Sequence, residues 1–357
     1  MLPEQWKIIM ENQKLLYSFR KRGTDLPEKA LTLLSRKIDK AYKTMQKSID
    51  ELKRHNIILD SNDFLLNSSF AYFAGFYVTD NEVEIELLDF QLEPVLEKIM
   101  PGFKKRIHYE TIHEVIEIMK NMIDEISGNV TIESISIIFN KCMNYQNNLA
   151  YYENGFDLKL YNLSIQFKNC KAFMPSVLQD VFIGDDVLAY ALYLREKVFE
   201  SNSIVYYELD QNRISYIMNN ILQRNSNPVF GMIFPRFTQQ QKELFKNLEK
   251  ASDKAYVEIL TANREQFNSI ETTYMQIKAL LNPEYFVLGG KWLRKTQFED
   301  FIFRNTKIFN SYKELANILF VESPSSSFFN VMNKDDQQQK GAGIYAAYSF
   351  FDWELKW

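Results

Sequence analysis

The sequence predicts an α+β protein that is mainly helical, with a small basic N-terminal module ahead of a larger mixed, helix-rich body. Residues 238–281 contain neither Gly nor Pro and carry apolar residues at helical spacing, which is typical of a helical hairpin or bundle. Three glutamates alternate with apolar residues between Glu82 and Leu87, which predicts a strand with one face in solvent. Residues 1–60 hold 13 Lys and Arg against 8 Asp and Glu, and the remainder holds 29 against 38.

The N-terminal module is organised around a basic amphipathic stretch. Its apolar residues recur at alternating spacings of three and four, which places them on one helical stripe: Ile38, Tyr42, Met45, Ile49 and Leu52. Its basic residues cluster on the opposite side of the same cylinder: Arg36, Lys40, Lys43, Lys47 and Arg54. One side is therefore predicted to be buried, while the other presents positive charge. Residues 27–55 could form one helix or two, since Asp39 could cap a second helix but no Gly or Pro separates them.

A short hairpin is predicted directly after this helix. Asn56 tolerates the left-handed conformation that often ends a helix. Residues 57–59 and 64–66 are apolar and predict two short strands, and residues 60–63 have the composition of a turn.

The run from Thr44 to Ile58 resembles the recognition helix and first wing strand of winged helix-turn-helix domains. The resemblance covers residues 27–67 and implies a helix that enters the major groove of duplex DNA. It further implies that basic residues of the helix, Lys40, Lys43, Lys47 and Arg54, contact phosphates or bases. The sequence departs from the pattern in having Asn56 where a Gly usually precedes the wing. The alternative is an ordinary amphipathic helix with a solvated lysine face.

The chain is long enough to bury one large hydrophobic core or two to three smaller ones. We predict a winged-helix-like module over residues 1–67, a mixed α+β domain over 68–234, and a helical region over 235–357. The last region would end in a mobile polar loop, residues 323–343, and an aromatic strand, residues 344–357.

Other elements follow from local patterns of the body. Residues 70–78 and 83–87 predict a hairpin, and residues 204–209 predict a further strand. Residues 132–145 predict either a helix or a buried run. Helices are predicted at residues 94–100, 109–126, 187–199 and 213–222.

Cysteine content and hydropathy restrict the compartment and the chemistry. Cys142 and Cys170 are far apart, which favours neither a disulfide framework nor a zinc site. A reducing, cytoplasmic location is expected. No run of about 18 apolar residues is present, so no membrane partner is expected. The sequence suggests no cofactor and no metal site.

The Gly184-Asp185-Asp186 run, flanked by apolar segments, resembles the strand-turn-strand metal motif of RNA-dependent RNA polymerases. The resemblance implies that Asp185 and Asp186 hold the Mg²⁺ ions that bridge nucleotide phosphates. The alternative is a surface turn in which an aspartate caps the following helix.

Arg106 and His113 have a spacing that resembles the Arg–His motif of HEPN-type ribonucleases, which implies action on a 2′-hydroxyl and the scissile phosphate. The acidic and histidine side chains around His113 could also hold a metal, although a solvated acidic face explains the same pattern.

These observations favour a sequence-specific DNA-binding protein: a regulator, replication or partition factor of a mobile element, with an acidic body for dimerisation or partner binding. Duplex DNA and a second copy of the chain are the expected partners, because one short helix supplies few contacts. The alternatives are a nucleic-acid enzyme acting through Asp185 and Asp186 or through Arg106 and His113, and a structural or assembly protein of a virus or phage. Whether the chain is an enzyme is left open.

Overall fold

The computed structural model describes most of the chain, and the account below concerns these parts of it. The described residues are 3–13, 15–16, 19, 35–36, 41–60, 65–78, 82–101, 112–126, 130–139, 142–146, 149–152, 157–159, 167, 170, 172–173, 181–199, 203–209, 213–218, 221–223, 237–294, 297–298, 300–301, 304, 329–333 and 341–351.

Two five-stranded mixed sheets form the body. The first contains β1 (Tyr72–Val78), β2 (Glu82–Leu88), β3 (Pro94–Pro101), β4 (Ile132–Phe139) and β8 (Val181–Asp185) in the order β3-β2-β1-β4-β8. Strands β1, β2 and β3 pair antiparallel, and β4 and β8 extend the sheet in parallel from β1. A separate three-stranded sheet contains β5 (Cys142–Gln146), β6 (Leu149–Tyr152) and β7 (Asp157–Lys159).

The second large sheet repeats the topology of the first. It contains β9 (Ser203–Glu208), β10 (Arg213–Met218), β11 (Ile221–Gln223), β12 (Tyr285–Gly290) and β13 (Phe329–Asn333) in the order β11-β10-β9-β12-β13. Strands β9 to β11 again form an antiparallel meander, and β12 and β13 again extend it in parallel. The body is therefore a topological duplication, although no repeat is visible in the sequence.

Helices cover both faces of each sheet. The outer face of the first sheet packs on α3 (Ile112–Asp124), and that of the second packs on α5 (Gln239–Lys250), α6 (Asp253–Ala262) and α7 (Asn268–Leu281). The inner faces share one core, in which α4 (Asp186–Tyr193) contacts β9 and β10 while α8 (Ala342–Phe351) contacts β1 and β4. Each of these two helices follows the last strand of one sheet and packs on the other sheet.

The class predicted from the sequence, a mainly helical α+β protein, is wrong, because the body is built on two mixed sheets. Two segments predicted to be helical contribute to this error, because residues 94–100 form β3 and residues 213–222 contain β10 and most of β11. A separate error has the opposite sense, because residues 344–351, predicted to be a strand, belong to helix α8. The loop predicted over 323–343 contains β13, and residues 323–328 and 334–340 lie outside the described residues.

Several local predictions are confirmed. The β1–β2 hairpin, strand β9 and helix α3 form where the patterns place them. The helical interpretation of residues 238–281 is also confirmed as three helices, the first of which begins with a capping box between Thr238 and Gln241. The solvent-exposed face predicted for β2 is wrong, because Glu84 is buried between the sheets.

Candidate functional site

The N-terminal module is anchored through one side of α2 (Tyr42–Arg54). Met45, Ile49 and Leu52 are fully buried in the same core as residues of α1 (Pro3–Glu11). The spacing of three and four residues between them explains why they share one face. Tyr42, which the same stripe predicted to be buried, is 39% exposed at the first turn of the helix.

The backbone at Ala41 settles where this helix begins. Ala41 has φ −58° and ψ 139°, which is an extended conformation, so the helix starts at Tyr42. Ser35 and Arg36 have helical geometry, whereas residues 37–40 lie outside the described residues. A single helix cannot therefore run through residues 27–55.

A short hairpin follows α2, as predicted. Asn56 has a φ of 55° and turns the chain at the end of the helix. Ile58 and Leu66 form an antiparallel bridge, and the Leu59 N–H donates to the Leu65 carbonyl at 2.8 Å. Lys53 forms an ion pair with Asp60 at 3.2 Å, which links the helix to the hairpin.

The basic face predicted from the sequence is in solvent where it is described. Arg36, Lys43, Lys47 and Arg54 are exposed, and Lys40 lies outside the described residues. Because the apolar side of α2 is buried, Lys43, Lys47 and Arg54 on its other side point away from the body of the protein. The nucleic-acid contacts and the winged-helix resemblance themselves stay predictions.

A second candidate site lies between the two large sheets. We call it the buried charge cluster, and it consists of Tyr77, Glu84, Asp186, Glu208 and Arg213. Tyr77 and Glu84 come from neighbouring strands of the first sheet, whereas Glu208 and Arg213 come from neighbouring strands of the second. Asp186 is the first residue of α4. The duplicated topology thus brings the same ends of both sheets together around these side chains.

Specific contacts bind this cluster together. Arg213 Nη2 lies 2.6 Å from Asp186 Oδ1, and both residues are buried. Tyr206 donates its hydroxyl to Glu208 Oε2 at 2.7 Å. Burial, followed by the Asp186 carboxylate, raises the pKa of Tyr77 well above its ordinary value, so its hydroxyl stays protonated.

The other residues singled out from the sequence have different surroundings. Gly184 and Asp185 end β8, and Asp186 begins α4, so this run joins a strand to a helix rather than two strands. The polymerase interpretation is therefore wrong. His113 is exposed on α3, and Arg106 lies outside the described residues. The described residues contain no cluster of three metal-ligating side chains.

Sequence reasoning missed Glu84, Glu208 and Arg213. Glu84 was assigned to solvent because it alternates with apolar residues, and Arg213 was placed in a short helix. The available signal is that residues 72–88 and residues 203–218 each contain two β-branched or aromatic runs joined by a short polar turn, a composition that predicts a hairpin in each segment.

Comparison with solved structures identifies the fold. A ROK family transcriptional regulator, described as a homologue of the E. coli MLC protein, is 12% identical, with a TM-score of 0.53 over 96% of this chain and 98% of its own. A ROK hexokinase from Thermus thermophilus is 10% identical, with a TM-score of 0.49 over 79% and 99%. A ROK family protein from Streptococcus pneumoniae in complex with sucrose is 13% identical, with a TM-score of 0.45 over 79% and 97%. No protein-family model and no curated protein matches the sequence.

These likenesses correct the predicted function. The chain has the fold of a ROK family transcriptional regulator, and the assignment to a replication, partition or regulatory factor of a mobile element is wrong. The phage and viral alternatives are set aside with it, and so are the nucleic-acid enzymes. In the described part of the chain, none of the helices has the length and apolar content that a bilayer crossing requires.

Proposed function

We propose that this chain is a cytoplasmic transcriptional regulator of the ROK type, in which the N-terminal module binds duplex DNA and the two-sheet body does not transfer phosphoryl groups. The observation that carries the proposal is α2, a helix anchored by buried Met45, Ile49 and Leu52 with exposed Lys43, Lys47 and Arg54 on its outer side. Such a face is suited to phosphates, and the hairpin after it is suited to the neighbouring groove.

The full-length likeness supports the same proposal. The ROK transcriptional regulator aligns over 96% of this chain, so the alignment extends into the N-terminal module. The likeness is one of fold, so it supports an arrangement of module and body rather than a target sequence. We propose a homodimer, because one short helix makes too few contacts for specific binding and paired half-sites double them.

The cleft between the sheets argues against phosphoryl transfer. A general base must lie within hydrogen-bond reach of the substrate hydroxyl, yet the Asp186 carboxylate is buried and already held at 2.6 Å by Arg213. Phosphate cradles also rely on glycine-rich turns, whereas the sequences between β1 and β2 (Thr79-Asp80-Asn81) and between β9 and β10 (Asp210-Gln211-Asn212) contain no glycine.

Binding to duplex DNA fragments across a salt series tests the proposal. We expect Lys43→Glu combined with Lys47→Glu to abolish binding, because each substitution replaces a phosphate-neutralising charge with a repelling one. The matched control is Lys246→Glu combined with Lys250→Glu on α5, which has the same spacing and exposure but lies in the body. It should bind DNA as the parent protein does.

Two outcomes would contradict the proposal. One is salt-independent DNA binding that the α2 double variant retains. The other is sugar-dependent ATP hydrolysis by the parent protein that Asp186→Asn abolishes.

A further inference from the structure

The turn between β2 and β3 contacts both the N-terminal module and the connection between the two large sheets. We call it the coupling turn, and it consists of residues 89–93. Asp89 Oδ1 accepts the N–H groups of Gln91 at 2.8 Å and Glu93 at 2.9 Å. Leu92 is fully buried with a φ of 64°, an unfavourable left-handed conformation for leucine that persists only where the surrounding structure holds it. The coupling turn is therefore held in one shape and is suited to move as a unit.

On one side, the coupling turn holds the hairpin that follows α2. Gln91 Nε2 donates to the carbonyl of Leu66 at 2.6 Å. The Phe90 N–H donates to the carbonyl of Ser68 at 3.2 Å. Leu66 is also the residue that bridges Ile58 within the hairpin, so the second half of the hairpin is bonded directly to the coupling turn.

On its other side, the coupling turn meets the connection between the two sheets. A π-helical segment, Leu194–Phe199, continues α4 ahead of β9, and such segments are rare and frequently lie at functional sites. Lys197 Nζ of this segment lies 2.8 Å from Glu93 Oε1. At the opposite end of α4, Asp186 is held at 2.6 Å by Arg213 of the second sheet. A shift of the second sheet therefore displaces α4 and, through the ion pair, Glu93.

We propose that the coupling turn transmits movements of the second sheet to the N-terminal module. When the sheets change their separation, Lys197 draws on Glu93, and Gln91 shifts the hairpin that it holds. The basic face of α2, which the hairpin follows, then changes its orientation relative to the body. In a homodimer this alters the spacing of the two DNA-contacting helices, which must match the spacing of the half-sites. The effect on DNA binding rests on the proposed function, whereas the coupling to the hairpin does not.

Amide hydrogen exchange of the full chain without DNA tests the coupling. The reporters are the hairpin amides of Leu59, bonded to the Leu65 carbonyl at 2.8 Å, and Asn67, bonded to the Ile57 carbonyl at 3.0 Å. We expect Lys197→Glu to raise their exchange rates about twofold to fivefold, because it breaks a partly exposed ion pair of modest strength and loosens the hairpin.

The reversed pair separates this coupling from general damage to the fold. Lys197→Glu combined with Glu93→Lys restores the attraction and should return the exchange rates to those of the parent protein. The matched control is Glu97→Lys, which makes the same charge reversal at an exposed site on β3 and should leave the hairpin unchanged. Gln91→Met keeps the length of the side chain but removes the donor to the hairpin. It should raise the exchange rates and make them insensitive to Lys197→Glu.

Binding to duplex DNA fragments provides the functional measurement. Lys197→Glu should change the affinity about twofold to fivefold and the reversed pair should restore it, although neither residue lies on α2. The proposal is overturned if hairpin exchange in Lys197→Glu equals that of the parent, if the reversed pair does not restore it, or if Glu97→Lys has the same effect. A parent protein that binds no DNA would contradict the proposed function alone, since the exchange rates still decide the coupling.

Discussion

The two large sheets have the same strand order and the same strand directions, yet they hold their inner helices by different means. The first sheet meets α8 through small and polar residues. Gly75 lies directly against the backbone of Gly343, and Ser134 and Ser136 donate to the carbonyls of Ala346 at 2.9 Å and Ala342 at 2.6 Å. The contact between the first sheet and α8 is therefore close and includes hydrogen bonds.

The second sheet meets α4 through large side chains and a buried ion pair. Tyr190 of α4 packs edge-to-face on Tyr206 of β9, with ring centroids 4.9 Å apart, and Asp186 binds Arg213 of β10. The outer faces also differ. Helix α3 packs on the first sheet together with Phe167 and Phe173, while an aromatic cluster around stacked Phe245 and Trp292 lies on the second. One topology is thus stabilised by two unrelated sets of contacts, which explains why the duplication leaves no repeat in the sequence.

The largest effect is expected at the buried ion pair of the second sheet. Arg213→Leu removes the cation that faces the Asp186 carboxylate, and breaking a buried pair in this way costs about 3–5 kcal/mol of unfolding free energy. Urea denaturation measures the change. Adding Asp186→Leu should recover part of the loss, because the uncompensated charge is then removed as well.

The control for this prediction is an exposed pair. Arg304 and Asp300 lie 3.3 Å apart with side chains that are 77% and 65% exposed, so Arg304→Leu should change stability by less than about 1 kcal/mol. If Arg213→Leu costs no more than Arg304→Leu, the ion pair does not hold α4 on the second sheet.

The sequence could predict the elements that depend on local patterns, but not the contacts between segments that are far apart in the chain. Helices α5 to α7 and strand β9 follow local periodicity and capping, and the patterns were sufficient to place them. The face of β2 depends on a helix more than 250 positions away, since Glu86 is covered by the N-terminus of α8. Nothing in residues 82–88 themselves could reveal that partner.

The two candidate sites also differ in whether the sequence could reveal them. The exposed cations of α2 were found from spacing alone, because the apolar stripe and the basic stripe belong to one helix. The buried charge cluster joins residues from β1, β2, α4, β9 and β10, and each of them is unremarkable within its own segment. Helix α8 was predicted to be a strand because of its aromatic residues. Its closely spaced Ala342, Gly343, Ala346 and Ala347 were the signal for a helix packed tightly on a sheet.

An intermediate effect is expected from two glycine substitutions in the first sheet, at positions that face α8. A Cβ at residue 75 would lie 2.0 Å from the backbone nitrogen of Gly343, and one at residue 184 would lie 2.3 Å from Ile138 Cδ1. A backbone atom cannot yield as the end of a flexible side chain does. Gly75→Ala should therefore lower the free energy of unfolding by about 1–3 kcal/mol through overpacking, and Gly184→Ala should lower it by less. The reverse order in urea denaturation would show that α8 is not closely docked on β1.

The smallest effect compares one substitution at equivalent faces of the two sheets. Ser136→Ala removes a hydrogen bond to α8 and should cost about 1 kcal/mol of unfolding free energy. Ser215 lies on the inner face of the second sheet, where its buried hydroxyl has no hydrogen-bond partner among the described residues. Ser215→Ala should accordingly be neutral or stabilising, because it removes a polar group whose desolvation is not compensated. Chemical denaturation of both variants measures the difference. Equal losses at the two positions would mean that the hydroxyls play the same part in both sheets, and that the contrast between a hydrogen-bonded and a side-chain-packed helix contact does not hold at these positions.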